Sequence, residues 1–355
     1  MTVADLTRDL VSIPSHEDET AVGDIIEEWL RENTDGDVTR DDTGNVIARK
    51  GDGDRSLALV GHHDVVAPDD SQVEAGEYVV DTRDGRIYGR GAADMKGAVA
   101  AAMVAFRDAD PSCELIFASF VGEEVGGTGA RAAIDDGFAP DFAIVGEGST
   151  GYSAVGVTDV AVAHKGRRGS TISAEGTAAH ASEVESGENA IYRACDAVNV
   201  VRDLDFPTAE VLGHAMTGSV AVTEIEGGSG WNVIPASCTV TVDERTVPGG
   251  YAPLERVETI EGVSWAVDQD LPPMACDDAD FADLVLRAAE NAQDVSPEQV
   301  TKPHATDAGW LAQAGTTCVI CGAAEQGEAH TKDESVSIDT LAVCEAIYRE
   351  VAETL

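Results

Sequence analysis

The chain has 355 residues, 43% of them hydrophobic but only 5% aromatic, so it can bury a core of small aliphatic side chains, and its length suits two domains. Against 23 Lys and Arg stand 66 Asp and Glu, a net charge of −43 that disfavours nucleic acid or an acidic membrane surface as a partner. The acids run along the whole chain and form no tail, which fits a globular surface that stays soluble at high salt, as in a halophile's cytoplasm.

The N-terminal stretch MTVADLTRDLVSIPSHEDE has neither a basic n-region nor an apolar h-region, and no stretch reaches ~18 apolar residues; neither a secretory signal nor a membrane span is expected. Residues 3–12 and 20–32 carry helical apolar spacing, interrupted at Pro14. Four short apolar runs then follow, each closed by a glycine and ionisable residues. They are Leu57–Val60 before Gly61-His62-His63-Asp64, Leu115–Val121 before Gly122-Glu123-Glu124, Phe142–Val145 before Gly146-Glu147, and Thr317–Cys321 before Gly322 and the stretch Glu325–His330. Such runs read as buried strands, with helices between them at Ala98–Phe106 and Thr128–Asp136. The alternation predicts an α/β fold, a mostly parallel sheet flanked by helices, with ligands at the carboxyl ends of the strands. His62, Glu123, Glu124 and Glu147 all fall on that rim.

Residues 162–269 read as an inserted α+β domain. Strands are expected at Val160–His164, Ser170–Glu175, Ser219–Ile225 and Cys238–Val242, and helices at Asn189–Arg202 and Ala252–Thr259. Helices over Asp280–Ala292 and Ser337–Thr354 then return the chain to the first domain, so the expected division is 1–161, 162–269 and 270–355. Seven cysteines at scattered spacing argue against a disulfide framework; Cys318-Val-Ile-Cys321 lies in an apolar run and reads as buried strand cysteines, with a redox or zinc role as the alternative.

The chemistry concentrates in His62, Asp94, Glu124, Glu147 and His330, with Glu123 and Asp64 beside them. Asp94 lies in Gly89-Arg90-Gly91-Ala92-Ala93-Asp94-Met95-Lys96-Gly97, where glycines permit tight turns and a carboxylate has two oxygens to share between two cations. Mixed imidazole and carboxylate donors suit zinc, with cobalt or manganese as alternatives. Carboxylates converging on one rim repel each other unless cations neutralise them. Taken alone, Glu123-Glu124 is also what a solvated acidic pair looks like, and His62-His63 could be one core and one surface histidine.

In these motifs, together with Asn232-Val233-Ile234-Pro235, Asp243-Glu244-Arg245 and Ala329-His330-Thr331, the chain resembles the two-zinc peptidases and deacylases that include succinyl-diaminopimelate desuccinylase, acetylornithine deacetylase, aminoacylase and glutamate carboxypeptidases. The motifs occur in the family's order over nearly the whole chain. The resemblance implies two divalent ions: His62 and Glu147 would hold one, Glu124 and His330 the other, and Asp94 would bridge them. Asp64 would orient His62. Glu123 would act as general base, generating metal-bound hydroxide and returning the proton to the leaving amine. The insert resembles the family's lid and dimerisation domain, implying a homodimer in which His180 stabilises the oxyanion, within or between subunits. Asn232 would assist there, and Arg245 would grip a substrate carboxylate. Thr306 would line the substrate side. Lys165, Arg167 and Arg168 read as a lid surface patch.

The implied substrate is a small N-acyl amino acid. Gly89–Gly97 and Gly166-Arg167-Arg168-Gly169-Ser170 look most like desuccinylases, whereas Ala163-His164-Lys165-Gly166 looks more like acetylornithine deacetylases. Gly146-Glu147-Gly148-Ser149 and Lys302-Pro303-His304-Ala305-Thr306-Asp307 depart from the family's commoner strings, on the substrate side. The resulting expectation is a cytoplasmic succinyl-diaminopimelate desuccinylase of lysine biosynthesis. The alternatives are an acetylornithine deacetylase of arginine biosynthesis, a metal-dependent dipeptidase or carboxypeptidase, and a non-catalytic metal-binding homologue.

Overall fold

The four apolar runs that end in a glycine step lie side by side in one sheet. The computed structural model describes residues 1–355. In it, Glu114–Phe120, Ser56–His62, Phe142–Val145 and Thr317–Ile320 are neighbours in that order, and all three of their pairings are parallel. Their residues are buried almost without interruption, as expected of strands covered on both faces. On one side the sheet continues antiparallel through Val46–Lys50 and its hairpin partner Asp37–Arg40; on the other it continues through Val160–His164. The α/β class is thus the observed one, a mostly parallel sheet flanked by helices.

The helix Gly97–Asp108 is buried from Gly97 to Phe106. Its alanines suit this position, because a thin helix can lie close against a sheet whose strands carry Leu, Ile and Phe. Two further helices with amphipathic spacing, Val3–Val11 and Thr20–Asn33, bury Leu6, Leu10, Ile26 and Leu30; the first is capped by Thr2, whose hydroxyl accepts from Asp5 N. No helix is long and apolar enough to cross a membrane. Cys318 and Cys321 are buried in the strand and its exit, and all seven cysteines are free.

The chain divides into two compact units, Met1–Ala163 with Met274–Lys302 and Thr306–Leu355, and His164–Pro273 with Pro303–Ala305. The second unit has a four-stranded antiparallel sheet in the order Ser219–Gly227, Ser237–Thr246, Gly166–Glu175, Val263–Leu271. Burial alternates along its two central strands, so one face is dry. Ala190, Ala194, Ala197 and Val201 of helix Ala190–Arg202 pack on that face against Ile172, Ala174, Val240 and Val242. Asn189 starts the helix, its side chain accepting from Ile191 N at 2.9 Å.

The structure differs from the sequence reading at four elements. Val160–His164, expected in the insert, pairs with Thr317–Ile320 in the large sheet, and every one of its residues is buried. That continuous burial marks an inner strand, not a half-exposed one. The helix expected over Ala252–Thr259 is only a short 3-10 segment, Leu254–Thr259, entered from Pro253. Strand Val263–Leu271, whose pattern is mostly exposed, and helix Asp307–Gln313 carry too weak a periodicity to be read from sequence.

One glycine step is sterically fixed. Gly122 has φ +60, and a Cβ there would lie 2.1 Å from Thr128 Oγ1. Gly122→Ala is therefore expected to cost about 1–3 kcal/mol in urea unfolding. The double variant with Thr128→Ala should recover part of that loss. An unchanged midpoint in the single variant would show that the turn relaxes freely.

Candidate metal centre

Three of the glycine steps and two loops deliver acidic and imidazole side chains to one rim of the larger unit. His62 closes strand Ser56–His62 and is 1% exposed. Its Nδ1 lies 3.0 Å from the backbone oxygen of Asp64 and 3.3 Å from Asp64 Oδ1, so that nitrogen is the natural donor and Nε2 faces the rim. His62 Nε2 is 3.2 Å from Asp94 Oδ1 and 3.4 Å from Glu147 Oε1. On the far side of Asp94, His330 Nε2 is 3.1 Å from Asp94 Oδ2 and 2.9 Å from Glu124 Oε1. Asp94 thus offers one oxygen to each imidazole. His330 reaches its place with φ 61, a left-handed conformation uncommon outside glycine.

Asp64 does more than face His62. Its Oδ1 accepts from Glu123 N at 3.1 Å and its Oδ2 from Glu124 N at 3.0 Å. One carboxylate therefore sets both the His62 ring and the turn carrying Glu123 and Glu124. His63, next to this group, is fully buried, and its Nδ1 pairs with Ser119 Oγ at 2.8 Å. Burial holds its pKa down at about 3, so it stays neutral and structural.

These distances test whether ions fit. Two donors of one tetrahedral zinc, each about 2.1 Å from the ion, stand about 3.4 Å apart. The four imidazole–carboxylate separations, 2.9 to 3.4 Å, lie at or slightly inside that edge. His62 with Asp94 and Glu147 forms one group whose ligand atoms all lie within 4.8 Å of one another; Asp94 with Glu124 and His330 forms another, and His62 with Glu123 and Glu124 a third. The donor set is imidazole plus carboxylate throughout, and the acidic groups outnumber the imidazoles. The residues present therefore suit two divalent ions sharing Asp94.

The charge balance without ions points the same way. Bonds from Asp94 and Glu124 push His330 up to about 10. Burial opposes a charge on His62, but Asp64, Asp94 and Glu147 outweigh it and hold the ring's pKa well above the usual value. Asp94 is held low despite its burial by bonds to His330 and His62. The facing carboxylates thus favour positive charge at both imidazoles. Glu123 is raised well above an ordinary carboxylic acid by burial and by Glu147, Asp307 and Asp94, with His62 pulling the other way.

Two neighbours were not singled out by the sequence. Lys302, 6% exposed, places Nζ 3.0 Å from Glu147 Oε2, leaving Oε1 toward His62. Its ammonium keeps Glu147 ionised against the cost of burial. Asp307 is fully enclosed, neither carboxyl oxygen has a hydrogen-bond partner, and burial pushes it up to about 7. Both belong to the string Lys302-Pro303-His304-Ala305-Thr306-Asp307, which the sequence placed on the substrate side without giving either residue a role beside the carboxylates. Thr306 itself caps helix Asp307–Gln313, its hydroxyl accepting from Ala308 N at 3.2 Å.

The other sequence-predicted residues belong to the smaller unit. His180 and Asn232 come together there: strand Ala179–His180 pairs with Val233–Ile234, and Asn232 Nδ2 lies 3.3 Å from His180 Nε2. His180 Nδ1 is 2.7 Å from Ser182 Oγ. Arg245 lies opposite Arg167 on the neighbouring strand, and both guanidinium groups bind Asp243, through Nε at 2.8 Å in each case. Arg168, the other arginine of that patch, is not a surface group: it is 8% exposed and paired with Glu244 at 2.7 Å.

Residues 58–354 match the model of a family described as peptidase family M20/M25/M40. An acetylornithine deacetylase of Myxococcus xanthus is 32% identical over 340 residues, which is 86% of this chain and 84% of the deacetylase. Among solved structures, a tripeptidase from Staphylococcus aureus superposes with a TM-score of 0.79 at 19% identity, covering 99% of this chain and 97% of that one. A dinuclear metal-binding M20 peptidase from Bacillus subtilis gives 0.72 at 18% identity, with 99% and 96% covered. At these identities the two structures show the fold.

Raised imidazole pKa values make metal binding a proton exchange. Facing carboxylates raise both His62 and His330 above the ordinary imidazole range, and ligation requires neutral imidazole, so uptake of ions should release protons and tighten as pH rises. Calorimetric zinc titrations of metal-free protein at pH 7, in buffers of different ionisation enthalpy, measure this. A heat independent of buffer would contradict it.

Proposed function

The chain belongs to peptidase family M20/M25/M40, and from that membership and the geometry of its acidic rim we propose that it is a two-metal amide hydrolase that removes the acyl group from a small N-acyl amino acid. The observation that carries this reading is Asp94, whose two oxygens face His62 and His330 at 3.2 and 3.1 Å, with Glu123 on the adjoining turn. His62 and Glu147 would hold one ion, Glu124 and His330 the other, with Asp94 shared; zinc fits the donors best, and cobalt or manganese could replace it. Bound there, the ions supply Lewis acidity, polarising the scissile carbonyl and acidifying an attacking water.

The chain's own groups do the rest. Glu123 takes the proton of the attacking water and delivers it to the leaving amine. Its partly buried position among other acids raises its proton affinity above an ordinary carboxylate's, which suits a group that takes a proton and gives it back. Asp64 holds Glu123 in place through the backbone, so the base and the ligand Glu124 share one anchor. His180, steadied by Ser182 and Asn232, would donate to the oxyanion, from its own or a partner subunit. Arg245 would receive the substrate carboxylate. Two arginines on the single acid Asp243 leave one positive charge uncompensated, and Asp243 fixes the guanidinium plane. A homodimer formed through the inserted unit, in a cytoplasm of high ionic strength, belongs to the same proposal.

For the acyl group, we favour acetyl over the succinyl expected from the sequence strings. The relative that supports this carries the name acetylornithine deacetylase and matches 86% of the chain, whereas the desuccinylase likeness rested on two short strings of sequence. A panel of N-acetylornithine, N-succinyl-diaminopimelate and dipeptides, each with added zinc or cobalt, should show the acetyl substrate with the highest kcat/KM. Preferred dipeptide cleavage would replace the deacylase reading with a peptidase one. Glu123→Gln should lose roughly 10³-fold in kcat while binding both ions. Normal turnover in that variant would remove Glu123 from the role of base.

A further inference from the structure

Glu334 takes no part in the site as described, yet it is 1% exposed and its side chain is wholly enclosed. The strand that follows it, Ser335–Ser337, pairs antiparallel with Arg86–Tyr88, which brings Glu334 against the loop after Tyr88. Its backbone oxygen accepts from Gly89 N at 3.1 Å. Its side-chain Oε1 accepts from Ala93 N at 3.0 Å and Asp94 N at 3.1 Å. Oε2 accepts from Arg90 Nη1 at 2.6 Å, and Arg90 is itself only 3% exposed.

A buried carboxylate costs several kcal/mol unless charge and hydrogen bonds compensate it. The hydrogen bonds to its carboxylate all come from one loop, residues 89–94, which ends in Asp94, and the buried Lys96 just beyond it adds a positive charge. That loop has little regular structure to hold it. Gly91 has φ 84, and Asp94 stands at φ −126, ψ 93, outside any helix. Without Glu334, the amides of Ala93 and Asp94 would be orphaned in the interior. Glu334 also stands four residues after His330, which faces the second oxygen of Asp94. One carboxylate thus ties the Asp94 loop to the His330 segment.

We propose that Glu334, locked by Arg90, is a positioning residue of the metal centre: it sets the Asp94 backbone so that one carboxylate oxygen meets the His62 side and the other the His330 side. The proposal rests on the reading above that two ions bind there. Glu334 touches neither substrate nor ion; it acts through Asp94. A carboxylate is needed for this. A glutamine at the position has one acceptor oxygen, and either orientation of its amide turns a donor toward Arg90 or toward the two backbone N–H groups.

The test uses the full chain, stripped of metal and titrated with Co²⁺, with ions counted by elemental analysis and the cobalt absorption spectrum recorded. The wild-type chain should take two ions. Glu334→Gln should bind the second ion 10- to 100-fold more weakly, with an altered spectrum and faster release to a chelator. As a control, Val285→Ala opens a cavity under the helix Ala279–Ala292; it should lower the melting temperature yet leave stoichiometry and spectrum unchanged. Arg90→Gln keeps the two amide bonds and should show a smaller loss, and it carries the test if Glu334→Gln does not fold. Wild-type affinity and spectrum in Glu334→Gln, or in Arg90→Gln where that variant stands in, would overturn the proposal. A wild-type chain that binds no second ion would instead overturn the two-metal reading, and this inference with it.

Discussion

Like charges forced together govern the larger unit. Asp64, Asp94, Glu123, Glu124, Glu147 and Asp307 gather at the carboxyl ends of parallel strands, buried or partly buried and close enough to shift one another's proton affinity. Their repulsion must be balanced locally, because at low effective dielectric a few ångströms separate tolerable from prohibitive. The chain meets it in three ways: imidazoles on both oxygens of Asp94, the Lys302 ammonium on Glu147, and backbone N–H groups on Asp64. Divalent ions would be a fourth means, and a stronger one than protons.

That balance explains why the supporting residues are buried and specific. Asp64 uses both oxygens on the Glu123–Glu124 turn while facing His62. The sheet contributes by geometry alone. Four parallel strands ending in register with one another put their exits on one rim, and the buried helix Gly97–Asp108 is preceded directly by the loop bearing Asp94.

Much of this could be read before any coordinates. Continuous apolar runs closed by glycine and an ionisable residue gave the central strands and, with them, His62, Glu123, Glu124 and Glu147. What escaped has a common physical cause. Val160–His164 looks like any apolar run; only its pairing partner, some 160 residues away, assigns it to the larger sheet. Val263–Leu271 is mostly exposed and carries no clear alternation. Lys302, Asp307 and Glu334 act through contacts with residues far off in sequence, and in a chain with 66 acids a single Glu or Asp gives no local signal. Arg168, read as part of a surface patch, turned inward because Glu244 lies opposite it on the next strand.

The strand order has a bearing on how the molecule comes into being. Thr317–Ile320 is wedged between Phe142–Val145 and Val160–His164, segments made far earlier. A nascent chain emerging from the ribosome must therefore wait, with an open slot in its largest sheet, until some 150 further residues have been added. Meanwhile the antiparallel insert, whose strands lie within 166–271, already has every pairing partner it needs. Closure of the slot pairs segments far apart in the chain, the kind of long-range pairing that slows folding.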